Sequence, residues 1–396
     1  MKIAMVHPRL DRRGGAENLV AWLTTGLIAR GHEVVIATRC YREELWSDGG
    51  FEGAELRLVE GRFEGLRGRR GKVMARARAL ASQVAGSDVV VAHNFPASSW
   101  VTAAAAGVEP RLVWYCHEPL QRLRWRSTMP NMVAAAEADL PWAGAVFKDF
   151  VAKLEGKRAR QNRVDDGLDR AAVERFDRVL CNSAFTAAAV ERVYGRVGEP
   201  CLLGLPAIEE AVIEEPAAGR GELLWIGSTL AYKNAVAFFE AMRVARYDLG
   251  ALTLRARVVG VDDAEHRALV ARLGLEGAIH FEPRLPYAEL MARVSVARAV
   301  VTTSIDEPFG IVPLEAMARG RAVIASRVGG PCESVVDGVT GLAVDPLDPA
   351  AIAAALVELW DDAGRAEELG AAGRRRFEDR FTLERFLDRF ERLALA

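Results

Sequence analysis

The stretch VTTSIDEPFGIVPLEAMARGRAVIASRVGGPCESVVDGVTG, residues 301–341, sets two carboxylates, Glu307 and Glu315, eight positions apart around a strand-to-helix turn. ARAVVTTS at 297–304 reads as a short buried strand, and Pro308 and Gly310 break the chain after it. Pro313 fits the first turn of a helix, where a missing N–H does no harm. Gly320 supplies a left-handed stop. Ile311 and Glu315 then lie one turn apart on the same face. The backbone N–H groups of Phe309, Gly310 and Ile311 fall at the helix N-terminus, where oxygens and anions bind. One carboxylate at the mouth of the turn and another a turn along suit a ligand rich in hydroxyls, such as a sugar joined to a ribose.

Around this stretch, LLWIG at 223–227, RARVVG at 255–260, IHFEP at 279–283, AVIAS at 322–326 and GLAV at 341–344 read as strands, most of them separated by helical segments. The first half shows the same alternation. Residues 1–7, EVVIAT at 33–38, DVVVAH at 88–93, RLVWYCH at 111–117 and RVLCNS at 178–183 are strands. A helix of period 3.6 runs from Ala16 to Arg30, with Gly31 ending it. Strands alternating with helices indicate βαβ units and parallel sheets. The pattern restarts after a stretch rich in Pro, Gly and Glu around 204–221. The expected organisation is therefore α/β, with a first domain over 1–205, a second over 206–377 and a terminal amphipathic helix over 378–396.

At 396 residues the chain has room for two ordinary domains, and 51% hydrophobic content supports a core in each. No apolar run approaches the ~18 residues that read as a membrane span. The N-terminal apolar run is too short for a signal peptide. The five cysteines are widely spaced, without a CxxC or Cys/His pairing, which fits a reduced, cytoplasmic setting. No cluster has metal-ligand spacing. Asp262 and Asp263 resemble a metal-binding acidic pair only superficially, and no metal is expected. The net charge of −2 hides an asymmetry. Residues 1–200 hold 30 Lys and Arg against 24 Asp and Glu, and residues 201–396 hold 22 against 30. The basic half suits phosphates or an anionic membrane, and nothing points to nucleic acid. Its densest stretch carries Arg57, Arg62, Arg67, Arg69, Arg70, Lys72, Arg76 and Arg78 against Glu60 and Glu64. A solvated face explains such a run. A peripheral contact with the inner face of an anionic membrane, for a lipid-linked acceptor, is the sharper expectation.

EPFGIVPLE resembles the Glu-x7-Glu motif of retaining glycosyltransferases of family 4, and GGPCESVVDGVTGLAVDP continues the same pattern. The resemblance covers nearly the whole chain. It implies the GT-B architecture, two Rossmann-like domains facing across a cleft, with the last helix crossing back onto the first domain. It also implies sugar transfer from a nucleoside diphosphate sugar, as substrate rather than cofactor, to a saccharide or lipid-linked acceptor. YCHEPLQRLRW is similar to the tyrosine–x–His–x–Pro segment of family-4 mannosyltransferases, which makes GDP-mannose the first donor to consider and a UDP-sugar the next.

Residue by residue, the resemblance places Gly14 and Gly15 of GGAE beside the donor diphosphate. It places His117 near the transferred sugar, and Lys233 of WIGSTLAYKN on the diphosphate, where an ammonium stabilises the leaving group. Glu307 would orient the sugar and Glu315 the ribose, with Phe309, Gly310, Ile311 and Val312 holding the donor. The chain departs from the pattern at Ser228, which stands where the family carries an arginine. Arg12, Arg13 and Arg327 are the candidate replacements. The departure also admits a different class, a nucleotide-sugar-binding protein of the same fold with weak or no transferase activity. A dinucleotide-dependent oxidoreductase is disfavoured, because no G-x-G-x-x-G follows the first strand.

Overall fold

The computed structural model describes residues 1–46, 49–60, 68–105, 110–119, 127–138, 140, 147–148, 152, 159–206 and 221–396, with backbone only at 69 and 159–164. The chain forms two compact units. The first holds Met1–Thr128, Leu154–Pro206 and Leu383–Ala396; the second holds Met129–Lys153 and Ala207–Thr382. The described residues between 129 and 153 thus group with the second unit although they lie between segments of the first. The linker stretch at 207–220 and, from the basic run, Arg62, Glu64 and Arg67 lie outside the described residues, as do 120–125 of the YCHEPLQRLRW segment.

The first unit is an open parallel sheet of strands β1 (Lys2–His7), β2 (Glu33–Thr38), β3 (Glu55–Leu58), β4 (Val89–His93), β5 (Arg111–Cys116), β6 (Arg178–Cys181) and β7 (Glu199–Pro200). Its order is β3-β2-β1-β4-β5-β6-β7. The inner strands read as unbroken apolar runs, such as VVVAH in β4, because helices cover both faces of the sheet. Strand β3 was not legible beforehand. ELRL is an edge strand with no fully buried residue, so burial did not shape its sequence.

The second unit is a parallel sheet of β8 (Leu223–Ile226), β9 (Ala256–Val259), β10 (Ile279–Glu282), β11 (Ala299–Val301), β12 (Ala322–Ser326) and β13 (Leu342–Val344), in the order β10-β9-β8-β11-β12-β13. Its core centres on Trp225, Phe238, Phe239, Val258, Ile324 and Leu356. In each sheet the strand order reverses once, between β1 and β4 and between β8 and β11. At such a switch point the connections leave in opposite directions and open a crevice beyond the carboxyl ends, where α/β proteins bind ligands.

The chain returns to the first unit at its end. Helix Leu383–Phe390 lies on helix Gly15–Ala29, with Leu387 so close to Gly26 that a Cβ there would come within 2.5 Å of it. Arg30 holds Glu384 at 2.6 Å, Asp388 at 2.8 Å and Glu391 at 2.6 Å. Phe386 and Phe390, both fully buried, reach Tyr115 on β5 with ring centroids at 5.9 and 6.4 Å. Among the described residues no helix is long and apolar enough to cross a membrane.

Candidate functional site

In the second unit, the loop after β11, TTSIDE at 302–307, is tied to the loop after β8, AYKN at 231–234. Trp225 Nε1 donates to Thr303 Oγ1 at 3.0 Å, and that hydroxyl donates to the Asn234 carbonyl at 2.9 Å. Asn234 sits at φ +59°, held there as its side-chain amide donates to the Pro346 and Thr303 carbonyls. The Ile305 amide donates to the Tyr232 carbonyl at 2.7 Å. The two loops flank the switch point, and their alignment brings Lys233 Nζ to 2.5 Å from Glu307 Oε2. Both side chains keep some access to solvent, at 20% and 15%. Asp306, immediately before Glu307, takes φ +53° although buried. Its carboxylate accepts from the Asn131 side chain at 2.6 Å and the Met132 amide at 2.9 Å. Helix Pro130–Glu137 therefore braces the residue that aims Glu307.

The chain then turns at Gly310 (φ +88°) into helix Ile311–Ala318. Gly330 lies against this turn so tightly that a Cβ would meet Phe309 Cα at 2.3 Å, and its amide donates to the Glu307 carbonyl at 2.8 Å. Only glycine permits that approach. The amides of Ile311 and Val312 open the helix ahead of any intrahelical acceptor. The Phe309 side chain is buried, its ring 6.5 Å from that of Phe381 between centroids. Glu315 is not a surface acid: it is buried, and desolvation raises its pKa to about 7, with Lys233 pulling the other way.

Ser228 stands half-buried just after β8. Of the cations proposed to replace the missing arginine, Arg12 pairs with Glu17 at 3.1 Å in the first unit. Arg13 donates to Asn18 and the Leu45 carbonyl and stacks on Trp46, also in the first unit. Arg327 is exposed after β12, two strands from Ser228 in the same unit.

In the first unit, Gly14 and Gly15 open helix Gly15–Ala29. Glu17 folds back onto this turn, its Oε2 2.8 Å from where a Cβ on Gly14 would stand. His117 follows β5, and it does not stand alone. His7 ends β1 and His93 ends β4, so three adjacent strands each deliver a histidine to the carboxyl edge, across the switch point. His93 Nδ1 lies 3.1 Å from His117 Nε2. Burial lowers the pKa of all three. His117 falls to about 3, with His7 adding to the effect, and His93 lies well below its usual value, with His117 and His7 adding. His7 is lowered by burial against a raising influence of Glu17. All three are neutral at physiological pH. No group of three His, Cys, Asp or Glu among the described residues is placed to hold a metal ion.

The sequence reading named His117 but not its two neighbours. The signal was present: MVH, VAH and YCH end three strands with the same apolar-then-histidine step. Asn131 carried no signal, because its partner Asp306 is 175 residues away.

The family profile described as Glycosyltransferase Family 4 matches residues 13–201, and that described as Glycosyl transferases group 1 matches residues 209–376. The Mycobacterium tuberculosis glycogen synthase is 26% identical over 392 residues, covering 93% of this chain and 87% of that protein. The Acidothermus cellulolyticus D-inositol 3-phosphate glycosyltransferase is also 26% identical, covering 91% and 81%. Among solved structures, Anabaena HepE with UDP and glucose superposes with a TM-score of 0.75 at 17% identity, covering 99% of this chain and 98% of that one. Fold, profiles and relatives together define a glycosyltransferase of the GT-B class. Within that class its first half matches the Glycosyltransferase Family 4 profile and its second half the group 1 profile.

Proposed function

We propose that the protein transfers a sugar from a nucleoside diphosphate sugar to a saccharide or lipid-linked acceptor, with retention at the anomeric carbon and without a metal ion. The observation that carries this is the Lys233–Glu307 contact at the mouth of helix Ile311–Ala318, with Glu315 buried one turn along. Lys233 is the cation that meets the diphosphate, and Glu307 then accepts hydrogen bonds from the sugar hydroxyls. The opening amides of the helix bind the phosphate oxygens. Glu315 accepts from the ribose. Retention without a placed nucleophile favours front-face attack, with a donor phosphate oxygen taking the acceptor's proton. The protein then contributes positioning and charge.

The YCHEP segment argues for GDP-mannose. Anabaena HepE has been solved with UDP-glucose, and on that likeness we place a UDP-sugar first. The deciding experiment measures slow hydrolysis across a panel of nucleotide sugars, with and without chelator, and thermal stabilisation by UDP and GDP. One donor hydrolysed in EDTA, with its own diphosphate stabilising the fold, is the expected result. Activity lost in EDTA and restored by magnesium or manganese would refute the metal-free mechanism.

A further inference from the structure

The contact between His93 Nδ1 and His117 Nε2 requires one ring to donate and the other to accept, since both are neutral. The other nitrogen of His93, Nε2, is buried without a partner among the described residues. Were His117 the donor, His93 would carry its own proton on Nε2, leaving a buried N–H with no acceptor. Orphaned buried N–H groups are rare and costly. With His93 as donor, the orphan is only a bare ring nitrogen. His7 does not alter this choice. Its Nδ1 lies 2.7 Å from the Arg9 carbonyl and 3.3 Å from the Arg9 amide; the shorter contact, to an oxygen that can only accept, puts the proton on Nδ1. Its own Nε2 is buried and unpartnered among the described residues, with the His7 and His93 ring centroids 6.3 Å apart.

The consequence falls on His117. It is the most open of the three, 7% exposed against 2% for His7 and 0% for His93. Its carbonyl is fixed by the Asn182 side-chain amide at 2.8 Å. We infer that His93 is a positioning residue that donates from Nδ1 to His117 Nε2, fixing His117 as its Nδ1–H tautomer, so that His117 offers a hydrogen-bond donor rather than a base at the open end of β5. This deepens the glycosyl-transfer reading and rests on it for its meaning. A donor at that position can hold a sugar oxygen, but it cannot take the acceptor's proton, which is left to the donor phosphate.

The test begins on the unmodified protein, without substrate. Long-range proton–nitrogen correlation on histidine-labelled protein at neutral pH should show His117 protonated at Nδ1 and His93 protonated at Nδ1. His117 protonated at Nε2 overturns the inference. His93→Leu should release His117 from that tautomer and lower kcat about 100-fold, the scale of a misplaced catalytic contact. Nucleoside diphosphate affinity should stay unchanged. His93→Asn, whose side-chain N–H reaches the place of Nδ1, should recover most of the rate. An unchanged kcat in His93→Leu overturns the positioning role. If the tautomers are as stated and no donor yields transfer, the inference stands and the glycosyl-transfer reading fails.

Discussion

At the scale of single residues, Lys233 and Glu307 share one contact, and removing either tests a different bond. On the proposed role of Glu307 in orienting the sugar, Glu307→Ala should lower turnover about 100-fold or more. Lys233→Ala should weaken nucleoside diphosphates far more than the monophosphate. Rate measurements and titrations with UDP, GDP and their monophosphates check both. Near-normal turnover in the first variant, or equal losses in the second, sinks the assignment. Glu315 adds a pH signature. Burial raises its pKa from 4.5 to about 7, so the folded state holds this proton more tightly than the unfolded chain. That contribution is full below pH 4.5 and is lost as pH rises through 7, a change on the order of 3 kcal/mol. Glu315→Gln should remove the loss, read as a flatter urea stability against pH. The carboxylate pair was legible because Pro308, Gly310 and Pro313 punctuate it locally. The burial of Glu315 was not, since the neighbours that desolvate it are distant in sequence.

At the scale of elements, the strands flanking the two switch points were readable, because buried parallel strands write their position as apolar runs. Edge strand β3 left no such trace, and the brace from helix Pro130–Glu137 to Asp306 depends on tertiary contacts alone. The terminal helix was foreseen as amphipathic, and its aromatic anchors can be weighed. Phe386→Ala or Phe390→Ala removes a fully buried ring from beside Tyr115, at a cost of about 3–5 kcal/mol. Tyr115 in turn lies 5.2 Å from the His117 ring, so these variants should also disturb histidine signals in nitrogen-resolved spectra. Unchanged stability in both variants would mean that the helix is dispensable to the first unit. The described side chains of the basic run are of two kinds. Arg57 pairs with Glu55 and Arg76 donates to the Val59 carbonyl, which are structural uses. Arg70, Lys72 and Arg78 stand exposed on helix Gly68–Gln83. Each adds about 1 kcal/mol near an anionic bilayer. Changing these three to Gln should reduce binding to anionic liposomes while sparing donor hydrolysis, and binding of the parent should fall with salt. Equal liposome binding by variant and parent leaves the face merely solvated.

At the scale of the whole molecule, the two units carry buried ionisable groups of opposite kinds, and acid should separate them. The first unit holds three histidines at the carboxyl edge of its sheet. Burial lowers the pKa of each, to about 3 for His117. Their unfolded value is 6.5, so the neutral rings favour folding fully above that pH. The contribution is lost as pH falls from 6.5 towards 3, because the unfolded chain takes up protons that the folded unit refuses. The groups acting on the cluster do not reverse the sign. Glu17 raises the His7 pKa and Arg12 lowers it, and the net direction is still down. In the second unit, Glu315 works the other way and gains as pH falls. Between 6.5 and about 5, before most carboxylates titrate, the amides of β1, β4 and β5 should lose hydrogen-exchange protection. Those of helix Ile311–Ala318 should hold or gain it. His93→Asn removes one buried ring from the balance, so its β4 amides should lose protection less steeply than those of the parent. Parallel losses in both units, or no difference between parent and variant, would show that the histidine edge does not govern the acid response.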